Sequence, residues 1–314
     1  MEQNMGRDLL PENIVNLSAV CTEQVDLRVI DSAARHSTQA LDVLRLDKID
    51  PVISGNKWFK LQYYLADALN TGQKKVLTFG GAYSNHIIAT ACAAHKAGLQ
   101  SIGIIRGEKP SVLSHTLVNA ARWGMQLVFV SREAYNQKKN PAFIQQLLQE
   151  YGQPCIIPEG GEGPQGVKGA AGILNLAATG NYTHVLCAVG TGTLLSGLAV
   201  SAMAGQQVLG IPVLKGFDNW VSPYIPESAQ QKISMINGYH FGGYAKKNNT
   251  LLAFMNEWYN KTAIPSDFVY TGKLFFAVND LIRNGYFPEK SRLLVIHSGG
   301  LQGNESLDRQ TLVF

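Results

Sequence analysis

The chain has 314 residues, 46% of them hydrophobic, which is enough to bury the cores of two domains and argues against disorder. Twenty-seven basic residues against 23 acidic ones leave a formal charge of +4, and no Lys/Arg run is longer than a pair, so nucleic acid is not an expected partner. Four dispersed cysteines without a CxxC pair exclude a disulfide framework and a cysteine zinc site, and no apolar stretch approaches the roughly 18 residues of a membrane span.

The N-terminal Met1 to Asp8 carries charge without a following apolar core, and the expected location is cytoplasmic, with no membrane partner. Arg45-Leu46-Asp47-Lys48 then leads into Ser54-Gly55-Asn56-Lys57, a glycine-softened turn followed by a short helical stretch. A lysine there suits covalent capture of an aldehyde and later proton transfer; Lys60, three residues on, competes for that role. From Lys75 short apolar runs alternate with longer amphipathic ones. Strands are expected at 75–79, 101–105, 126–130 and 154–157, and helices at 85–98, 110–124 and 141–152. This is the pattern of a parallel sheet built from βαβ units.

Ser84-Asn85-His86 falls where the first of these strands hands over to a helix. Two readings stand side by side: capping by Ser84 or Asn85, or capture of a carboxylate by the helix-start amides. The glycine- and proline-rich 158–164 is a candidate hinge. A second block places strands at 184–189, 207–213 and 292–296, with helices at 194–204 and 274–282. Gly190-Thr191-Gly192-Thr193 follows the first of these strands and has the amides and hydroxyls to cradle a phosphate, but it lacks both the P-loop lysine and GxGxxG spacing. Tyr270 precedes a helix and is either a ring-stacking residue or a half-buried core tyrosine. Ser298, just past the last strand, offers a hydroxyl that can bond a pyridine nitrogen without protonating it, or is a turn serine. The seven histidines show no HxH or HxxxH spacing, and no metal is expected.

Taken together, a lysine, a carboxylate grip, a phosphate cradle and a pyridine partner outline a pyridoxal phosphate site. The ordered segments 54–57, 80–86, 158–169, 189–197, 269–273 and 296–300 resemble the fold-type II pyridoxal phosphate enzymes of the D-cysteine desulfhydrase and 1-aminocyclopropane-1-carboxylate (ACC) deaminase family, which are similar to the tryptophan synthase β chain. The resemblance implies an α/β fold of two open, twisted, largely parallel sheets flanked by helices. It also implies a large cofactor domain, 1–60 with 161–314, and a smaller inserted domain, 61–160. It makes Lys57 the covalent anchor and proton carrier, and sets Asn85 against the cofactor's phenolate oxygen. Ser84, Asn85, His86 and Tyr270 fall toward the substrate, Gly190 to Thr193 toward the phosphate, and Ser298 toward the pyridine nitrogen.

A small amino acid is the implied substrate and a homodimer the implied assembly. ACC deaminases of this kind carry glutamate after the tyrosine and an apolar residue at the serine. Thr271 and Ser298 therefore favour β-elimination from D-cysteine over ring opening of ACC. A protein that binds the cofactor or a phosphate without turnover is the alternative from another class.

Overall fold

The computed structural model describes residues 10–30, 38–217 and 220–314; the charged N-terminus Met1 to Asp8 and His36 lie outside them. In chain order its strands are β1 Thr22–Val25, β2 Thr38–Arg45, β3 Lys75–Gly80, β4 Gln100–Arg106, β5 Gln126–Val130, β6 Cys155–Ile157, β7 His184–Val189, β8 Gln207–Pro212, β9 Ile233–Met235 and β10 Ser291–His297. Its α-helices are α1 Asn56–Asn70, α2 Asn85–Lys96, α3 His115–Arg122, α4 Arg132–Asn136, α5 Pro141–Tyr151, α6 Pro164–Ala171, α7 Thr193–Ser201, α8 Glu227–Gln230, α9 Asn249–Thr262 and α10 Thr271–Arg283. Among the described residues no helix is long and apolar enough to cross a membrane.

Two compact units emerge. The first comprises residues 10–16, 50–53 and 57–169, and its sheet has the order β5-β4-β3-β6, all strands parallel. Both faces of this sheet are covered. Leu77, Phe79, Ile102 and Ile104 pack with Tyr135 and Leu147 in one cluster, while Ile87, Ala91, Ile105, Leu117 and Met125 form another. That is why these strands read as continuous apolar runs rather than alternating ones.

Residues 17–30, 38–49, 54–56, 170–217 and 220–314 form the second unit, whose sheet has the order β1-β2-β10-β7-β8-β9. Its pairs are parallel except β1 with β2. Its core joins Leu41, Leu186, Leu209 and Leu293 to Leu274, Phe275 and Val278 of α10 and Trp258 of α9.

The expected helix at 110–124 is shorter, starting at His115. Ser114 explains this, since its hydroxyl accepts the Leu117 N–H and fixes the first turn there. Residues ahead of it stay outside the helix, and the same hydroxyl donates to the Ala82 carbonyl.

Candidate active site

In the first unit, Lys57 is the second residue of α1 and Lys60 lies one turn on, 5% exposed. The turn Gly81 to Ser84 joins β3 to α2, and Gly80 is required there. A Cβ on it would come 2.4 Å from Ile87 Cγ1 and 2.9 Å from Ser84 Oγ. Ser84 is the N-cap, accepting the Ile87 N–H at 3.4 Å, so Asn85 and His86 supply the first amides of α2, which have no acceptor within the helix.

The sequence reading turns the backbone and side chain of His86 alike toward the crevice at the strand ends; the side chain is instead buried and bonded to Thr78. Thr78 donates its one hydroxyl proton to the Ile157 carbonyl at 2.8 Å, so at 2.8 Å from His86 Nε2 it must accept. His86 is therefore the Nε2–H tautomer with a bare Nδ1, and the ring is 2% exposed. Burial and then the ammonium groups of Lys57 and Lys60 push its pKa down to about 3, with the Pro158 carbonyl pulling the other way. A neutral, fixed imidazole thus stands in the electrostatic field of both candidate lysines.

In the second unit, Gly192 caps α7 in the left-handed conformation, φ 81°, and the hydroxyls of Thr191 and Thr193 lie 2.9 Å apart. A Cβ on Gly192 would sit 2.0 Å from Trp220 Cζ2, and one on Gly190 3.2 Å from Tyr270 Cε1. Both glycines thus let a ring come against the turn's backbone. Tyr270 is held from below by Asp267, a fully buried carboxylate that takes the N–H groups of Val269, Tyr270 and Thr271 at 2.9–3.0 Å and the Thr271 hydroxyl at 2.8 Å. Burial nonetheless raises its pKa against these donors. Thr271 also accepts the Asp267 N–H, so both capacities of its hydroxyl go into the cap of α10.

Tyr244, which the sequence reading passed over, meets Tyr270 edge to face, with centroids 6.1 Å apart at 72° and hydroxyls 3.5 Å apart. It sits in a glycine-rich loop without periodicity, so only its aromatic character was visible.

Ser298 follows β10 and is 8% exposed; its carbonyl accepts the Asn56 N–H at 3.1 Å. Gly55, φ 69°, passes so close that a Cβ would lie 1.8 Å from that same carbonyl oxygen. A buried ionic cluster supports this contact. Arg45, which pairs in register with His297, grips Asp47 through Nε and a terminal nitrogen at 2.8 and 2.6 Å and reaches Glu23 at 2.6 Å. His297 Nδ1 is 3.3 Å from Asp47, and its Nε2 donates to the Pro265 carbonyl at 2.7 Å. Burial alone would raise the Asp47 carboxyl, but the hydrogen bonds from Arg45 and the neighbouring His297 bring it below its ordinary value.

The donor set fits pyridoxal phosphate. Helix-start amides and two hydroxyls at Gly190 to Thr193 suit its phosphate, a hydroxyl at Ser298 suits its ring nitrogen, and Tyr270 offers an aromatic face. Residues 34–299 match the family model described as pyridoxal-phosphate dependent enzyme. A Pyrococcus horikoshii protein provisionally named 1-aminocyclopropane-1-carboxylate deaminase is 30% identical over 267 residues, 80% of this chain and 81% of its own. D-cysteine desulfhydrase of Klebsiella pneumoniae is 27% identical over 300 residues, 87% of this chain and 90% of its own. The crystal structure of an ACC deaminase homologue superposes with a TM-score of 0.76 at 27% identity, covering 95% of this chain and 92% of that one. The fold and donor set thus define a pyridoxal-phosphate dependent enzyme of fold-type II. Within that class, the chain belongs to the family of the ACC deaminases and D-cysteine desulfhydrases.

Proposed function

We propose that this enzyme eliminates the β-substituent of a small amino acid, with D-cysteine as lead substrate, converting it with one water to pyruvate, ammonia and hydrogen sulfide. Pyridoxal phosphate, when bound, supplies the electron sink that makes the α-proton of an amino acid removable. In this reading Lys57 is the residue that would hold the cofactor, and its Nζ would carry the α-proton. Ser84 and the amides of Asn85 and His86 receive the substrate carboxylate, and the Asn85 side chain faces the phenolate oxygen. Gly190 to Thr193 hold the phosphate. Tyr270 would face the substrate, and the Ser298 hydroxyl would bond the ring nitrogen without protonating it, which suits elimination.

The observation that carries the reading is the Gly190 to Thr193 turn with Tyr270 laid against it, an anion cradle and an aromatic wall in one piece of structure. The preference for D-cysteine rests on Ser298, since the Thr271 hydroxyl is spent on Asp267. Ring opening of ACC is the second reading, favoured by the names of relatives such as the Pyrococcus protein.

The purified protein is expected to absorb in the visible, and Lys57→Ala to abolish that band. D-cysteine should yield pyruvate and sulfide, and ACC no 2-oxobutyrate. 2-Oxobutyrate from ACC without pyruvate from D-cysteine would establish the second reading. A coloured protein that turns over neither cysteine enantiomer, serine, β-chloroalanine nor ACC would overturn both.

A further inference from the structure

Lys273, on the first turn of α10, is fully buried. Its ammonium donates to three backbone carbonyls, Gly243 at 2.8 Å, His240 at 2.9 Å and Val213 at 3.3 Å, which uses all three of its N–H bonds. The acceptors come from separate stretches of chain: Val213 directly follows β8, while His240 and Gly243 belong to the loop between β9 and α9. That loop is anchored ahead of the turn by Tyr239, whose hydroxyl donates to Asp280 at 2.7 Å, and by Phe241, edge to face with Phe276. It then turns through Gly242 and Gly243, φ 95° and 128°, conformations that favour glycine. The residue it delivers is Tyr244, 51% exposed, whose ring and hydroxyl meet those of Tyr270. Half of Tyr244 faces solvent, so packing around the ring does not suffice to fix it.

We propose that Lys273 is a positioning residue of the active site: by gathering three carbonyls it fixes the 240–243 turn and thereby holds the Tyr244 phenol on Tyr270. The consequence for catalysis rests on the role given to Tyr270 above, whereas the geometric claim does not. The acceptors explain why the side chain is lysine. A methionine fills the same space but leaves three buried carbonyls without a donor, and the turn is released toward water.

The test uses cofactor-free protein labelled with 3-fluorotyrosine, with the Tyr244 and Tyr270 resonances assigned from Tyr244→Phe and Tyr270→Phe. In Lys273→Met these two resonances should move while the others of the 12 tyrosines stay in place. In the loaded enzyme, kcat on the substrate identified above should fall about tenfold with little change in KM, and Lys273→Met should cost less than about twofold further in a Tyr244→Phe background. A folded Lys273→Met with both resonances unmoved overturns the proposal, as does a uniform shift of all tyrosines or a loss that is fully additive.

Should Lys273→Met not fold, the unmodified protein decides. Burial lowers the Lys273 pKa to about 8, with Asp267 opposing, so as the lysine loses its proton the two resonances should move in step, beyond the shift that phenol ionisation gives the other exposed tyrosines; two resonances that follow only that general shift overturn the proposal. The other titratable side chains on the segments that meet Lys273 are Lys215 after β8, Tyr239, His240, Tyr244, Lys246 and Lys247 in the loop, and Asp267, Tyr270, Asp280 and Arg283 at the start of α10 and along it. Repeating the series with Asp267→Asn and with His240→Gln assigns the response to the lysine. The fluorine readout needs no turnover, so it stands even if the proposed lyase activity does not.

Discussion

A histidine with one nitrogen donating to Thr78 and the other bare cannot accept a proton cheaply when its surroundings are dry and two ammonium groups act on it. His86 has an ordinary pKa of 6.5 unfolded and about 3 folded. The unfolded chain therefore binds more protons between those values, and stability falls as pH drops through that window, by about 1.4 kcal/mol per unit. Urea unfolding at pH 7 and pH 4.5 should differ by about 2–3 kcal/mol from this residue, and His86→Gln should remove that part of the difference. An acid slope identical in the variant would show that His86 is not its source. The backbone role of Ser84-Asn85-His86 was legible in the sequence, because a polar turn after an apolar run marks a helix start. The side-chain role was not, since Thr78 and Ile157 lie on other strands.

Helix α10 shows how one element sets the side chain proposed to face the substrate. Its N-terminal amides end on a carboxylate three to four residues ahead in the chain, and Tyr270 occupies the capping position at φ −122°, ψ −72°. Asp267→Asn keeps the shape but loses the charge facing the helix start and turns one oxygen into a donor among donors. It should destabilise the protein by about 1–3 kcal/mol, measured by thermal melting, and raise KM because Tyr270 loses its fixed backbone.

The strands at 75–79, 126–130, 184–189 and 207–213 were readable because buried parallel strands concentrate apolar, β-branched residues. Helix α9 was missed although its signal was present. Leu251, Met255 and Trp258 fall at helical spacing and are all buried, and Asn248 caps the start by accepting the Leu251 N–H at 3.0 Å. Short β9 carries no such signal in three half-buried residues. The three carbonyls around Lys273 are beyond any pattern, since backbone acceptors have no letter in a sequence.

At the scale of the whole chain, each unit carries its own sheet and core. The alternation of strands and helices announced two parallel α/β blocks, whereas the partition of the first 60 residues has no periodic signature. It follows pairings such as that of β2 with β10, where Arg45 meets His297, 252 positions further on. A cofactor that binds only the folded chain adds to its stability by mass action, about 2.7 kcal/mol at one hundred times the dissociation constant. Titrating pyridoxal phosphate into cofactor-free protein should therefore raise the melting temperature by several degrees, and Lys57→Ala should lose most of the rise. An equal rise in the variant would place the anchoring amine elsewhere, with Lys60 the first to examine.

The passage of Gly55 across Ser298 has a mechanical meaning. Main chain touches main chain there, with no side chain between to flex or change rotamer, and the peptide entering Lys57 is bolted to the end of a central strand through the Asn56 amide. The amine proposed to anchor the cofactor thus hangs from a fixed shoulder, and its reach is set by its own four methylenes.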